Sequence, residues 1–387
     1  MDFRLSKELE MLRDAVRDFA DKKIAPYADE WDNNNYLPHE EVLKPMGELG
    51  FFGAVIPEEY GGEDMGWMAA VIITEEIARV SASIRIQVNM QSIGSAYTIC
   101  TYGTEELKKK YVPKLVKAEY LGGFAITEPD AGSDVMSMQL TADDCGDHWL
   151  LNGSKTWISN ANCADLLVCY AYTDRSKKSK GLSCFLIEPK NFAGITTSSL
   201  GKLGVHSSPT GEIFFNNAKV PKENILGQPG DGAKIVFSSL NQTRISAAAG
   251  SIGAARGCYE LAVKYCKERK QFGREIGKFQ MTQDLIAQMS AEIEAARLLV
   301  YMAADRKDKG HLNNGLDVAQ AKYLAAEVAL KCSHTAMKIM GAYGYSTEYP
   351  LARFYRDIPS LFIVEGSANI CKQIIAMDQL GYRKANR

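Results

Sequence analysis

The chain has 387 residues, of which 46% are hydrophobic, 24% charged and 9% aromatic, which excludes a disordered, fibrous or collagen-like protein. Lys and Arg number 45 and Asp and Glu 47, for a net charge of −2, so no global basic field favours nucleic-acid binding. No long apolar run predicts a membrane span, no targeting signal precedes the first helix, and nine cysteines without a C-x-x-C pair indicate a reducing cytoplasm.

The first zone, residues 1–120, has the periodicity of helices. Apolar residues in ELEMLRDAVRDFADKKIAPYA recur at three- and four-residue spacing, and Pro26 predicts the end of this helix. The apolar segment GWMAAVIITEEIARV predicts a buried helix, and Thr104 is a suitable N-cap for TEELKKKYVPKLVKA. We therefore expect an N-terminal α-helical domain over residues 1–120.

The second zone, residues 121–230, reads as short strands bounded by Gly, Pro and Asn. HWLLNGSKTWIS predicts a hairpin that turns at Asn152-Gly153, and DLLVCYAY, LSCFLIEP and GEIFFNNAKVP predict further strands. Because no crossover helices separate them, this zone predicts a central β-domain and not a βαβ nucleotide-binding fold. GQPGDG, at 227–232, matches no phosphate-binding pattern and is interpreted as a linker.

The third zone, residues 231–387, is helical again. A regular apolar stripe over Ile286, Met289, Ile293, Ala296 and Val300 predicts a long helix that ends at Gly310. DVAQAKYLAAEVALKCSHTAMKIMG predicts a second long helix, antiparallel to the first, that ends at Gly341. The five histidines show no metal-ligand spacing, so we expect no metal site.

Two strand ends in the second zone carry candidate binding chemistry. FAITEPDAGSD presents Thr127 and Ser133 beside a Pro/Gly turn, and TWISNA presents Trp157 and Ser159 about thirty residues later. Each pattern alone also fits an ordinary turn or a core tryptophan. Together, two hydroxyl-bearing strand ends and a flat aromatic face predict one wall of a pocket for a planar cofactor.

Two charged segments in the third zone carry further candidates. Arg269 and Arg274 bracket Phe272 in KERKQFGREIGKFQ, which indicates either an anion clamp or a solvated basic helix end. Glu365 follows four consecutive apolar residues in SLFIVEGSANI, and Ser367 predicts the N-cap of a helix. A glutamate in such apolar surroundings is either a general base with a raised pKa or a structural ion partner.

These segments lie in one order along the whole chain, together with EEYGG (58–62) and GAYGYSTEYPLARFYRD (341–357). In that order and over that length they resemble the acyl-CoA dehydrogenase family. The resemblance implies an α+β fold with an N-terminal helical domain (1–120), a central β-barrel-like domain (121–230) and a C-terminal four-helix bundle (231–387). It also implies bound FAD, an acyl-CoA substrate, a homotetramer built as a dimer of dimers, and an electron-transfer flavoprotein as electron acceptor.

The resemblance further implies a role for each matched residue. Glu365 matches the general base that removes the α-proton of the thioester. The expected FAD contacts are Phe124, Ile126, Thr127, Trp157, Ser159, Ser367 and Asn369, with Arg269, Phe272, Gln280, Gly341 and Gly344 toward the ADP half of FAD on a neighbouring subunit. The expected CoA contacts are Ser133, Asn241, Arg244 and Gly366. The family often has Asp at 241 and Gly at 342, so Asn241 and Ala342 are departures that bear on single contacts.

The chain most resembles the glutaryl-CoA dehydrogenase branch. Arg85, in SASIRIQVNM, matches the arginine that this branch holds for the distal carboxylate, although the pattern also fits a surface arginine on an amphipathic helix. Val364 stands where decarboxylating members have Tyr, which predicts glutaconyl-CoA as product without CO2 release.

Other functions are open from the sequence. The same branch includes anaerobic enzymes that act on alicyclic acyl-CoAs such as cyclohexanecarboxyl-CoA, and Gln91 is a candidate to face the acyl pocket. Another short or branched acyl group also fits. An acyl-CoA oxidase, which produces hydrogen peroxide, and a non-catalytic acyl-CoA-binding protein are the alternatives from other classes.

Overall fold

The first part of the chain is a series of helices. The computed structural model describes residues 4–312 and 314–382, and Ser6 caps its first helix by accepting a hydrogen bond from the Leu9 backbone N–H. A π-helical turn, Ala20–Ile24, extends that helix to just before Pro26, the predicted end. The helices are α1 (Lys7–Phe19), α2 (Ala28–Asn33), α3 (Lys44–Glu48), α4 (Gly66–Ala78), α5 (Ala82–Asn89), α6 (Thr98–Tyr102) and α7 (Glu105–Val116).

Two of these helices confirm predictions made from the sequence. Helix α4 is buried along almost its whole length, because apolar residues lie on all of its faces. Thr104 caps α7 by accepting a hydrogen bond from the Leu107 N–H. A π-helical segment, Met90–Tyr97, joins α5 to α6 without a break, and such segments are frequent near functional sites.

The second part is a mixed sheet of eight strands. They are β1 (Gly122–Ala125), β2 (Thr141–Asp144), β3 (His148–Ser159), β4 (Leu166–Tyr172), β5 (Leu182–Ile187), β6 (Ile195–Ser199), β7 (Thr210–Pro221) and β8 (Ile225–Leu226). The strand order is β6-β7-β3-β2-β4-β5-β8, with β1 also paired to β4. Strand β4 pairs in parallel with β1 and β2, and the other pairs are antiparallel.

Strand β4 is buried on both faces, which explains its continuous apolar sequence. Val168 and Tyr170 point into the large core shared with the helices, whereas Leu167 and Cys169 point into a second core inside the β part. Alternate residues of one strand face opposite sides of a sheet. One strand therefore joins the two cores.

The predicted hairpin at Asn152-Gly153 is wrong. Residues 148–159 form the single strand β3, which pairs with β7 from His148 opposite Pro221 to Ser159 opposite Thr210. The register shifts between Leu151 and Gly153, and Gly153 has φ +135°. The Asn-Gly pair therefore makes a bulge and not a reversal, because the long ladder with β7 satisfies the backbone groups that a turn would have taken.

The third part is helical and confirms the predicted helix ends. Helix α9 ends at Asp308, just before Gly310, and α10 ends at Met340, just before Gly341 (φ +59°). The linker 227–232 leads from β8 into α8. The elements are α8 (Gly232–Glu268), β9 (Lys270–Gln271), β10 (Arg274–Glu275), α9 (Gln280–Asp308), α10 (Gly315–Met340), α11 (Pro350–Ile363) and α12 (Ala368–Gln379).

Packing in the third part brings distant segments to one place. Helix α10 packs against α8, α9, α11 and α12, and α8 also packs against α4 and α5. The turn between α11 and α12 consequently lies beside the helices of the first part. Within the described residues, no helix has the length and apolar character needed to cross a membrane.

Candidate active site

The turn between α11 and α12 holds Glu365 in a left-handed conformation, with φ +58°. Gly366 follows with φ +90°, and a Cβ there would lie 2.7 Å from Arg244 Nε. The missing side chain lets Arg244 Nε donate to the Glu365 carbonyl oxygen at 3.2 Å. Ser367 then caps α12, as predicted, by accepting from the Ile370 N–H. Backbone strain of this kind persists where the surroundings impose it, typically at functional sites.

The Glu365 carboxylate lies in a mostly buried pocket, with 11% of its side chain exposed. Arg85 Nη2 lies 3.3 Å from both carboxylate oxygens, and Asn89 Nδ2 donates to Oε1 at 3.1 Å. Burial raises the pKa of Glu365, and the charges of Arg85 and Lys322 oppose that rise. A raised carboxyl pKa suits a general base that works near neutral pH. Glu365 thus combines the two interpretations open from the sequence, because it is an ion partner with a raised pKa.

Arg85 is fully buried, so the surface-arginine interpretation is wrong. Its Nε and Nη1 atoms have no hydrogen-bond partner within the described residues. Gly250 of α8 makes room for the side chain, since a Cβ there would lie 2.5 Å from Arg85 Nε. Buried N–H groups without partners are costly, and this arrangement suits a ligand that brings a second anionic group.

Two residues near Glu365 were not predicted from the sequence. Asn89 lies four positions after Arg85 on the same face of α5, a spacing that is itself the signal. Lys322 of α10 is fully buried and donates to the Phe362 carbonyl oxygen at 3.4 Å, in the last turn of α11. Burial lowers the pKa of Lys322. Its signal is a lysine inside an apolar helical stripe.

The proposal that Gln91 faces the acyl pocket is wrong. Its side-chain NH2 group donates to the Leu115 and Tyr120 carbonyl oxygens, and its side-chain oxygen accepts from the Gly122 N–H. These bonds use the amide to join the helices to the start of β1. Gln91 is therefore a buried structural residue with no polar atom directed at a ligand.

The two hydroxyl-bearing motifs of the β part meet, as the sequence predicts. The Thr156 N–H donates to the Thr127 carbonyl oxygen at 2.9 Å. Lys155, fully buried, donates to the Ile126 carbonyl oxygen at 3.0 Å and pairs with Glu128 at 2.7 Å. The Lys155–Glu128 pair, which no sequence motif predicts, therefore fixes both motifs from behind.

The surface that these motifs form fits a planar ring. Trp157 has φ +59° and leaves 58% of its surface exposed, although a tryptophan normally buries its ring. Phe124 and Ser159 are half-buried, and Ile126 is buried. A strained backbone that holds a flat aromatic face open is suited to stack on a tricyclic cofactor, so the residues present fit FAD.

A cleft of about 2010 Å³ has Arg244 in its wall, the residue that donates to the Glu365 carbonyl oxygen. Ser133, Asn241 and Arg244 line it, as predicted for the CoA contacts. Asn241 donates to the Leu312 carbonyl oxygen at 3.2 Å, and its Oδ1 atom is buried without a partner among the described residues. The cleft exceeds the usual volume of small-molecule sites, which suits a long ligand.

The residues expected to contact the ADP half lie around the β9–β10 hairpin. The Arg269 guanidinium lies 5.4 Å from the ring centre of Tyr343, which belongs to the 341–344 turn. Phe272, at the hairpin tip, is 93% exposed, and Gln280 is exposed at the start of α9. The exposed ring of Phe272 is free to contact another molecule. Asn369 is also exposed, in the first turn of α12.

Three domain families match the chain in order. The N-terminal domain of acyl-CoA dehydrogenases matches residues 6–119, the middle domain 123–218 and the C-terminal domain 230–380. The chain belongs to the acyl-CoA dehydrogenase family. It is a flavin-dependent oxidoreductase of the FAD-binding class, so the predicted family, fold, enzyme class and cofactor are confirmed.

Individual relatives identify the branch. A glutaryl-CoA dehydrogenase of Desulfococcus multivorans is 69% identical over 389 aligned residues that cover 100% of both chains. A glutaryl-CoA dehydrogenase solved as its glutaryl-CoA complex, also 69% identical, has a TM-score of 0.98 over 100% of this chain and 98% of its own. A chain from a structural study of the electron transferring flavoprotein of Acidaminococcus fermentans, 38% identical, has a TM-score of 0.96 over 98% and 100%. The predicted glutaryl-CoA dehydrogenase branch is confirmed.

Proposed function

We propose that this acyl-CoA dehydrogenase oxidises glutaryl-CoA between its α and β carbons and releases glutaconyl-CoA without CO2. The main support for the substrate is Arg85, which is buried beside Glu365 with its Nε and Nη1 groups unpartnered in the described structure. A distal carboxylate supplies the acceptors that those groups lack. The relatives in the glutaryl-CoA dehydrogenase branch support the same assignment.

Residues of the chain divide the reaction between two faces of the substrate. Bound FAD supplies a hydride acceptor for the β-hydrogen. Glu365 takes the α-proton on its carboxylate, and its own backbone N–H binds the thioester oxygen. Arg244 holds that turn through the Glu365 carbonyl, and Trp157 and Thr127 hold the ring of the cofactor. Ser133 and Asn241 line the CoA cleft, so the reacting carbons are fixed between base and acceptor.

Val364 is the basis for proposing that CO2 is retained. It lies between the last residue of α11 and Glu365, as the C-cap of that helix, and its side chain carries no hydroxyl. Decarboxylation leaves a carbanion at C4 that must be protonated, and a pocket without a hydroxyl donor hinders that step. The product is then the unsaturated dicarboxylic thioester.

Steady-state assays with an artificial electron acceptor test the proposal. We expect kcat/KM for glutaryl-CoA to exceed that for butyryl-CoA and cyclohexanecarboxyl-CoA by about 100-fold or more, because a neutral acyl group leaves the buried guanidinium unpaired. The variant Arg85→Met is expected to abolish this preference. A higher kcat/KM for the alicyclic thioester contradicts the substrate, and CO2 released in proportion to glutaryl-CoA consumed contradicts the proposed product.

The same preparation separates the remaining classes. Hydrogen peroxide formed in proportion to substrate indicates an oxidase. A colourless protein that takes up no FAD indicates a non-catalytic acyl-CoA-binding protein.

We also propose the setting in which the enzyme works. Electrons pass to an electron-transfer flavoprotein, an assignment supported by the 38% identical chain from a study of such a protein. Four chains assemble as a dimer of dimers, supported by the exposed Phe272 at the hairpin tip. A cytoplasmic location is supported by nine free cysteines, which a reducing compartment keeps as thiols.

A further inference from the structure

Asn89 contacts the carboxylate of Glu365 and has one polar atom, Oδ1, without a hydrogen-bond partner among the described residues. It is fully buried on α5, one helical turn after Arg85. Its Nδ2 atom donates to Glu365 Oε1 at 3.1 Å. Its Oδ1 atom is buried and accepts no hydrogen bond from any residue that the structure describes. The side chain therefore offers the base both a donor and an unused acceptor.

Among the described residues, the charged side chains beside Glu365 offer no acceptor for a hydrogen bond from an O–H group. Arg85 of α5 and Lys322 of α10 are cations with donors only, and Arg244 of α8 donates to the backbone carbonyl. Cys371 of α12 lies behind the turn, and burial raises the pKa of its thiol. When Glu365 takes the α-proton it becomes a carboxylic acid whose O–H needs an acceptor.

We propose that Asn89 is a positioning residue for Glu365 that serves both protonation states of the base. Before proton transfer its amide N–H orients the carboxylate toward the α-carbon. After transfer the amide turns by 180° about its last torsion, and Oδ1 accepts from the new O–H. That torsion is broad and roughly two-fold, so the exchange needs no backbone movement. The proton moves only from the substrate α-carbon to the Glu365 carboxylate.

This inference rests on the proposed function of Glu365 as the base, and Asn89→Leu tests it. Leucine keeps the shape and removes both the donor and the acceptor. We expect anaerobic flavin reduction by glutaryl-CoA to slow by about 10- to 100-fold, the loss expected for a hydrogen bond to a charged group, with KM changed less than about threefold. Loss of the N–H donor destabilises the carboxylate, whereas loss of Oδ1 destabilises the carboxylic acid. The hydrogen bond to the charged form is the stronger of the two, so its loss dominates and the acid limb of the rate against pH shifts to higher pH.

Asn89→Asp and Ser83→Ala complete the design. Aspartate places a second carboxylate against Glu365, so the acid limb is expected to shift further upward because like charges resist ionisation. It also carries the test if Asn89→Leu yields no holoenzyme. Ser83 is a buried residue of the same helix whose hydroxyl has no partner in the described structure, and its removal is expected to leave rate and pH limb unchanged.

Two outcomes distinguish failure of the inference about Asn89 from failure of the proposed function of Glu365. If Asn89→Leu and Asn89→Asp lower only the melting temperature or the FAD content and keep the wild-type acid limb, Asn89 is merely structural and the inference is wrong. If Glu365→Gln reduces flavin at a near-normal rate, the proposed function fails first, whatever Asn89 does. Slow reduction in Glu365→Gln together with shifted limbs in both Asn89 variants supports the inference.

Discussion

At the scale of the residue, Glu365 is held between two opposing influences. Burial raises its pKa above that of an ordinary glutamate, and Arg85 and Lys322 pull it down. Because proton abstraction needs the carboxylate, activity is expected to fall as pH drops through this raised pKa, at a higher pH than for an exposed glutamate. The pocket therefore keeps the base both ionisable and basic.

The first prediction concerns Glu365→Gln. Glutamine preserves the shape and removes the base, so we expect FAD to stay bound while flavin reduction by glutaryl-CoA slows by several orders of magnitude, on the order of 10³-fold or more. Stopped-flow bleaching of the flavin measures the rate. Glu119→Gln, which changes an exposed glutamate, is the matched control and is expected to bleach normally. Near-normal bleaching in Glu365→Gln contradicts the assignment.

The second prediction concerns Gly250→Ala. A methyl group there meets Arg85 Nε and Cδ at 2.5 and 2.7 Å, so the guanidinium must move. We expect kcat/KM for glutaryl-CoA to fall by about 10-fold or more, as overpacking of a buried site typically costs, and that for butyryl-CoA to change much less. Gly201→Ala, which meets no atom within 4 Å, serves as the control. An equal loss with both substrates would disconnect Arg85 from the distal carboxylate.

Sequence alone identified only part of this site. Glu365 and Arg85 are predictable because each is a charged residue in a largely uncharged segment that also matches a motif of the family. Asn89 and Lys322 are not, because their meaning lies in a partner far along the chain: 276 positions separate Asn89 from Glu365. The prediction for Gln91 is wrong for the same reason, since its partners are backbone groups that only folding brings near.

At the scale of the element, a buried ion network joins four helices of the first and third parts. Glu75 and Glu76 of α4 are buried and both pair with Arg256 of α8, at 2.7 and 2.6 Å. Arg297 of α9 pairs with Glu75, and Arg17 of α1 pairs with Glu76. Burial acts to raise the pKa of Glu76, but the arginines outweigh it and the pKa is lowered. These contacts fix α4 against α8, and α8 carries Arg244 and Gly250.

The third prediction follows from that network. Arg256→Met leaves two buried carboxylates short of a partner, so we expect a loss of about 3–5 kcal/mol in the free energy of unfolding. Lys44→Met removes an exposed ion pair with Glu40 and is expected to cost about 1 kcal/mol or less. Urea unfolding of the two holoenzymes measures the difference. Equal midpoints for both variants would show that the network adds no stability.

Elements differ in how far the sequence predicts them. The helices α7, α9 and α12 begin or end where a cap or a glycine indicates, because capping is local chemistry. Strand β3 does not obey its local Asn-Gly signal, because β7, more than fifty residues away, supplies a longer ladder. The parallel pairing of β1 with β4 likewise depends on packing between segments that the sequence pattern does not link.

At the scale of the whole molecule, a net charge of −2 conceals a positive pocket. Arg85, Arg244 and Lys322 are buried near one carboxylate, Glu365. Both the thioester's CoA portion and a distal carboxylate are anionic, so a site that binds them needs local positive charge, which is stronger where water is excluded. A chain that is nearly neutral overall can therefore bind an anionic substrate, because its positive charge is concentrated at the site.

Exposed apolar residues around the start of α9 are candidates for the proposed contact between subunits. Phe272 at the hairpin tip packs edge-on against Phe279, and Met281 and Tyr345 are 85% and 81% exposed. Side chains this apolar are seldom left so open together on a surface that faces only water. The expected FAD contacts Arg269 and Gln280 lie in the same region, so the proposed subunit contact and the expected ADP contacts share one surface.

The last prediction tests that arrangement. Four chains of 42.7 kDa give a tetramer of about 171 kDa, which we expect for the wild-type holoenzyme by light scattering coupled to size-exclusion chromatography. Met281→Glu introduces a charge into the proposed subunit contact, where an unpaired charge is costly to bury, so we expect a smaller assembly with less bound FAD. Met11→Glu alters a comparably exposed methionine on α1 and is expected to keep both mass and FAD content. A wild-type mass near 43 kDa would contradict the tetramer. An unchanged mass in Met281→Glu would contradict a subunit contact at the start of α9.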